Sequence, residues 1–428
     1  MDVKYDREQE AVIMDPSRFL QVIASAGSGK TKTMVGVVER SLEQGVGAEE
    51  ILVLSFTRKA AGEIRNRILH RVGRTNVRVH TFHSFCFQAL ARWHPDFRKR
   101  TPSIVLPMEK NAFFREWFRK DPFLVGGIPY ELLADLRSLP EDFPKEWYEE
   151  LQKDYRAYKT STGKLDFDDL VHLFLRSLEE REPWTEIPRN LLKKILVDEF
   201  QDTNSEQLVF LRNLSESSSI VVVGDDAQSI YGFRGADVKL FLDFPRFFQG
   251  TSRHLLITNY RSLPKIVEAS DIPIRKNRGK ITKEVRAHRK GKAFVGRILI
   301  NGIPDLFPFL ENAYLTCGKN WKILCRSNHR IREYLRAGIP EDFLLTIHSA
   351  KGLEFHTVFV DLADGWNVKW TSSEEILEEE RRILYVALSR AEDSLAIVGS
   401  RTRNARETAE DLFFSYFDSL PLWKKPPQ

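Results

Sequence analysis

FLQVIASAGSGKT, residues 19–31, is a short apolar run, a turn holding two glycines, and a Lys-Thr pair that opens a helical pattern. Strand, glycine turn and helix in that order make a phosphate cradle: the turn can aim backbone amides at an anion that also faces the positive end of the helix. Residues Ala26, Gly27, Ser28, Gly29, Lys30, Thr31 and Lys32 are the expected nucleotide-binding loop. Lys30 would reach the β- and γ-phosphate oxygens, and Thr31 would offer its hydroxyl to Mg2+. The match to GxxxxGK[ST] departs only at the first position, where Ala24 replaces glycine.

A second stretch, ILVDEFQD, places Asp198 and Glu199 immediately after three apolar residues. At the carboxyl end of a parallel strand, one carboxylate can hold the metal while its neighbour activates water, so Asp198 is the expected metal ligand and Glu199 the base. Loop and acidic pair together point to hydrolysis of a nucleoside triphosphate. A nucleotide kinase shares both features but also requires an acceptor pocket, for which no candidate residues stand out.

Working outward, ILVLSF, ILVD, IVVVG and HLLIT repeat the apolar-run pattern, alternating with helical stretches as in a parallel α/β sheet. From residue 86 to 190 the texture becomes helical, with NAFFREWFRK, EWYEELQKDYRAYK and FDDLVHLFLRSLEE and no strong strand candidate, which predicts a helical insertion. A second set of strands, GRILINGI, KNWKILCRSN, DFLLTIHSAKG, HTVFVDLAD and SLAIVGS, predicts a second α/β domain. The expected division is therefore 1–85 and 191–255 for the first domain, 86–190 for the insertion, 256–420 for the second domain and 421–428 for a flexible tail.

The 428 residues exceed what one core usually organises, and 42% hydrophobic with 29% charged residues is a globular composition. A net charge of +5 tolerates a polyanionic partner without requiring one. Three scattered cysteines form no CxxC pair, which suggests a reducing compartment and a cytoplasmic location. No apolar run approaches the roughly 18 residues of a membrane span, so no membrane association is expected.

Two domains suggest a cleft that closes on the γ-phosphate, with arginines supplied from across it. Arg261 in NYRS and Arg390 in YVALSRAE are the candidates, the latter continuing the apolar stripe of a predicted helix through Ile383, Val386 and Ala387. In VVVGDDAQSIYGFRGA, residues 221–236, Gln228 would sense the γ-phosphate while the aromatic segment that follows touches something else.

Taken in order, EQEAV, ASAGSGKT, LSFTRKAAGEIRNRI, TFHSFC, LDFDDL, ILVDEFQDTN, VVVGDDAQSIYGFRGA, NYRS, LLTIHSAKGLEFHTVFV and RRILYVALSRAED resemble the motifs of superfamily 1A DNA helicases of the UvrD/Rep type, from Gln9 to about Asp393. The resemblance implies an α/β fold of two RecA-like P-loop domains with parallel sheets and a helical insertion, 1B, in the first. It implies ATP and Mg2+ as cofactors and 3′ to 5′ movement along single-stranded DNA, in repair or replication. A 3′-tailed duplex and a protein that stimulates unwinding are the further partners it allows. By the same resemblance Gln9 reads the adenine, Tyr260 stacks on it, and Gln228, Arg261, Glu354 and Arg390 surround the γ-phosphate. Phe56, Tyr231 and Phe233 would stack on bases, with Thr57, His83, Arg234, Thr346 and His348 contacting phosphates or bases. Phe82 fits core packing better than base stacking.

The sequence departs from its relatives in places. Phe233 stands where many have tryptophan, Ser389 where threonine is common and Arg58 where asparagine is usual, and none removes a catalytic group. The short stretch between Asn328 and Leu345 leaves no room for the sizeable subdomain, 2B, that relatives insert there. The expectation is a compact motor whose unwinding is weak, constitutive or partner-dependent, without a fused nuclease after Asp393. The rival is a nucleic-acid-binding scaffold that ATP switches without directional movement.

Overall fold

The computed structural model describes residues 4–426 apart from 74, 100, 102, 120–144, 367–371 and 402–408. Strands β1 (Phe19–Ala24), β2 (Ile51–Ser55) and β3 (Arg78–Thr81) open the first sheet. Two-residue strands β4 (Ser103–Ile104) and β5 (Lys164–Leu165) pair within the helical insertion. The chain then returns through β6 (Lys194–Val197), β7 (Ser219–Gly224) and β8 (Ser252–Leu256), giving a six-stranded parallel sheet in the order β3-β2-β6-β7-β1-β8. Strands such as ILVLS and SIVVVG are apolar on both sides because helices cover both faces of the sheet. The segments ending β1, β2, β3, β6 and β7 consequently meet along one carboxyl edge, where open α/β sheets bind ligands.

After a small ladder of β9 (Thr258–Asn259) with β10 (Arg286–Ala287), a second parallel sheet follows. It comprises β11 (Phe294–Ile300), β12 (Trp321–Cys325), β13 (Leu344–Thr346), β14 (Phe355–Leu362) and β15 (Ala391–Ser400), ordered β11-β15-β14-β12-β13. This is a mixed α/β architecture of the RecA-like kind. Between β12 and β13 lie only the helix Asn328–Arg336 and one short 3-10 turn, so nothing of domain size is inserted there. The two sheets share packing: Ala26, Ala227 and Ile230 of the first are buried in the cluster built mainly from the second.

Part of the helical insertion packs on the first sheet. The helices Phe82–Trp93 and Phe167–Glu179 contribute Phe85, Leu90, Leu170 and Phe174 to the core of the first sheet, beside Ile195 and Ile220. Among the described residues a core separate from the sheets is built from Phe114, Trp117, Phe118, Leu151 and Tyr155. Helical texture alone does not say which side of a helix meets a sheet.

The tail expectation is corrected for residues 421–426. Arg297 N donates to Pro421 O at 2.8 Å and Trp423 N to Arg297 O at 2.7 Å, so the tail adds a short parallel bridge to the edge strand β11. Trp423 lies over Gly296, where an added Cβ would come within 2.2 Å of the indole. The three cysteines are free, and among the described residues no helix is long and apolar enough to cross a membrane.

Candidate active site

The loop after β1 takes the cradle form. Gly27 and Gly29 have φ of 69° and 83°, conformations that cost glycine little and other residues more. Gly27 has a second role, because a Cβ there would stand 2.7 Å from Arg261 Cβ of the NYRS segment. Gly29 precedes the helix Lys30–Glu43, putting Lys30 and Thr31 in its first turn.

Asp198 and Glu199 follow β6 and diverge in character. Glu199 sits at φ 52°, ψ 42°, a left-handed conformation that costs a non-glycine residue about 1–3 kcal/mol. Its Oε1 accepts from Lys30 Nζ at 2.8 Å and its Oε2 from Gln201 Nε2 at 2.5 Å. Burial opposes its charge, but Lys30 and Lys351 outweigh that and hold the carboxyl at about 2. Burial and the adjacent Glu199 charge push Asp198 up to about 7. Asp198 Oδ1 is buried with no hydrogen-bond partner among the described residues. An orphaned carboxylate oxygen beside a threonine-bearing phosphate loop fits a hard divalent cation such as Mg2+, with Asp198 and Thr31 as its protein ligands. Neighbouring carboxyls pushed apart in this way can take different roles, one ionised throughout and one ready to shed a proton to a cation.

The second sheet meets this edge with its amino ends: Glu354 precedes β14 and Arg390 precedes β15. The helix Glu374–Leu388 stops two residues short of Arg390, which lies in the turn beyond it and not on the helix as expected. Arg390 is 1% exposed, and its hydrogen bonds go to Val386 O, Leu353 O, Ser389 Oγ and Gln228 Oε1, all neutral. Burial and then the neighbouring Arg261 charge lower it to about 9. A buried guanidinium hydrogen-bonded to no anion among the described residues is costly, and an anionic ligand in the cleft would offset that cost. Arg261 bonds Glu354 Oε2 at 2.7 Å and Ser389 O at 3.1 Å. Arg261, Glu354 and Arg390 line one cleft of about 820 Å3 with Lys30, Thr31, Asp198, Glu199, Gln228 and Tyr260.

At the other end of the loop, Gln9 is buried and donates to Ser28 O at 3.2 Å. Tyr260 donates its hydroxyl to Asp6 and packs its ring 4.7 Å from His288. Lys32 turns toward Lys4 O and the Tyr5 ring.

Beside the cleft runs an aromatic strip. Phe56 stacks on Tyr231 with centroids 5.0 Å apart, and Tyr231 and His348 flank Phe233 at 6.0 and 5.5 Å. The Arg234 guanidinium lies 5.5 Å from both the Tyr231 and Phe233 rings, and Phe233 is 53% exposed. Burial first and the Arg326 charge second lower His348 to about 4, leaving it neutral at physiological pH. Thr57 and Thr346 cap the helices that follow them. His83 packs against Phe167, apart from the strip's ring contacts, while Phe82 is buried edge-on to Phe210.

Sequence reasoning missed Lys351, Asp202 and Gln201. Lys351 Nζ bonds Asp202 and, at 2.8 Å, Gln228 O, and it lies 4.8 Å from the Tyr231 ring, joining cleft to strip. The signal was in DEFQD and HSAKG, but no spacing rule pairs two residues 149 positions apart.

The UvrD/REP helicase N-terminal domain family matches residues 5–124 and 129–249, more than half of the chain, and the UvrD-like helicase C-terminal domain family matches 335–402. A protein named putative ATP-dependent DNA helicase YjcD, from Bacillus subtilis, is 29% identical over 67% of this chain and 40% of its own length. ATP-dependent DNA helicase UvrD1 of Mycobacterium tuberculosis is 31% identical over 78% of this chain and 48% of its own length. DNA helicase II of Escherichia coli is 31% identical over 67% and 43% respectively. The chain spans less than half the length of these relatives.

Proposed function

The chain belongs to the UvrD/REP helicase family, and on that premise we propose that it is an ATP-driven motor that moves 3′ to 5′ along single-stranded DNA. ATP and Mg2+ occupy the cleft between two RecA-like domains, 1–85 with 191–255 and 256–420, and 86–190 is the 1B insertion. The observation that carries this reading is the buried Arg390 guanidinium, hydrogen-bonded among the described residues to neutral groups alone and pointed at Gln228 beside the Lys30–Glu199 pair.

In hydrolysis Glu199 accepts a proton from the water that attacks the γ-phosphorus. The bond from that phosphorus to the β,γ-bridging oxygen breaks, and ADP leaves with the electron pair. Lys30, Arg261 and Arg390 take up the charge that develops on the phosphoryl oxygens. Bound Mg2+, held by Asp198 and Thr31, would neutralise the phosphates. Gln9 and Tyr260 engage the adenine. Phe56, Tyr231 and Phe233 stack bases, which suits sequence-independent tracking. Arg234 contacts phosphate, and neutral His348 contacts bases. With nothing of domain size between β12 and β13, duplex unwinding is weak, constitutive or dependent on a protein partner, and comparing unwinding with translocation separates these.

The test is steady-state ATP hydrolysis with single-stranded oligonucleotides of increasing length, alongside a Glu199→Gln control. A motor gives turnover that climbs with strand length and then levels. Turnover indifferent to DNA overturns the motor and favours an ATP-switched scaffold.

A further inference from the structure

A buried cluster behind the cleft is untouched by the catalytic scheme. Lys283 lies in the strap of chain, residues 276–290, that joins the helix Pro264–Arg275 to β11. By sequence it sits in GKITKEVRAHRKGK, where a lysine reads as solvated surface. Its side chain is instead 6% exposed and bonds two aspartates from the end of β7, Asp225 and Asp226, whose side chains are 0% and 1% exposed. The strap is held on two further sides. Arg278 N and Gly279 N donate to Glu378 of the helix Glu374–Leu388, and Ile281 N donates to Asp226 Oδ2 at 3.0 Å.

Asp225 is the hub. Oδ1 accepts from Lys283 Nζ and from Ala227 N at 3.2 Å; Oδ2 accepts from Gln228 Nε2 at 2.6 Å and from the Tyr385 hydroxyl at 3.4 Å. The Tyr385 oxygen in turn accepts from Ala26 N, an amide of the phosphate loop, at 3.4 Å.

This wiring dictates which way the Gln228 amide points. An ionised carboxylate only accepts and a guanidinium only donates, so the NH2 must face Asp225 and the oxygen must face Arg390. The arrangement depends on where the Asp225 carboxylate stands, and its ion pair with Lys283 fixes that position from the strap side. Among the described residues Lys283 is the cation in contact with it. Removing that cation frees Asp225 Oδ1 from the strap, so the carboxylate is no longer held where it orients the Gln228 amide.

We propose that Lys283 is a positioning residue for ATP hydrolysis, holding Asp225 so that Gln228 presents its oxygen to Arg390 at the γ-phosphate end of the cleft. The proposal rests on the reading of Gln228 and Arg390 as γ-phosphate sensors. It makes the strap a part of the sensor: a displacement of residues 276–290 reaches the γ-phosphate through a single lysine.

The experiment measures how well the full chain distinguishes a triphosphate from a diphosphate. Fluorescent ADP is displaced by ADP or by the non-hydrolysable imido analogue of ATP, with Mg2+ present and thermal unfolding followed in parallel. Lys283→Met should reduce the discrimination between the two about tenfold while ADP affinity stays within about twofold, the scale of losing one hydrogen bond to a charged group. Lys283→Met also leaves Asp226 without its cation and should lower the melting temperature. The double variant Lys283→Met with Asp226→Asn separates the two effects, regaining the melting temperature but not the discrimination. Unchanged discrimination in Lys283→Met, or discrimination that returns with stability in the double variant, overturns the proposal and leaves the motor reading standing. Unmodified protein that binds neither nucleotide overturns both.

Discussion

The cleft around Glu199 and the strip around Phe233 both grow from the carboxyl edge of the first sheet, and they are made of different materials. In and behind the cleft, charges are buried and held by named partners: Lys30 on Glu199, Lys351 on Asp202, Lys283 on Asp225. In the strip, three aromatic rings and a neutral histidine pack against one another, and Phe233 stands open to solvent. Phosphate chemistry needs fixed charge in a water-poor site, where it is worth most. A surface that must accept any base needs flat apolar faces, and little fixed charge beyond Arg234.

Changes on either side of that contrast should have different signatures. Glu199→Gln removes the base and should cut ATP turnover about 10³-fold, within the range for lost general-base catalysis, measured as steady-state kcat. Phe233→Ala should raise the dissociation constant for a single-stranded oligonucleotide about 10-fold or more, the size of one lost base stack. Its salt dependence should not change, because no charge is lost; a shallower salt slope would place Phe233 outside the stack.

The third outcome concerns pH. Asp198 is held up to about 7, so below that pH it keeps a proton that a cation must displace. Mg2+-dependent nucleotide affinity should therefore rise as pH increases toward 7, by up to about 10-fold per unit, and level above it. The stability effect has the opposite sign. A folded-state value above the ordinary carboxylate value favours the fold below about pH 4, and that contribution is lost as pH rises through 7. Asp198→Asn should flatten both profiles, read by nucleotide titration and by melting temperature without Mg2+.

The smallest effect is expected at Arg234. Arg234→Gln should lower the slope of log affinity against log salt by about 1, for one phosphate contact, with a modest loss of affinity at low salt. An unchanged slope would assign Arg234 to holding Tyr231 and Phe233 in place through its contacts with their rings.

Several elements were legible from short stretches of chain. ASAGSGKT, ILVDEF and the apolar strands each encode a strand, a turn or a helix start within about a dozen residues, and backbone sterics and hydrophobic burial act at that range. Two parallel sheets and the acids and lysine of the cleft followed from this. Thirteen residues could place Lys30 at a helix start. They could not say that Arg390 lies past the end of its helix, since the helix terminus is fixed by the turn that leads into β15.

Other features depend on which distant surfaces meet. The helix Phe82–Trp93 reads equally well as part of an insertion or of the sheet domain until its apolar side is seen against Ile195 and Ile220. His348 reads as a candidate contact to phosphate or base, and only its burial among nearby cations shows that it is neutral. The tail reads as frayed until Gly296 gives Trp423 room on β11. Lys283 reads as surface until it is enclosed with two aspartates. Local chain chemistry thus determined the phosphate loop, the acidic pair and the class of fold. Packing of the two sheets determined which buried charges face each other, because desolvation and ion pairing depend on neighbours in space that no local spacing encodes.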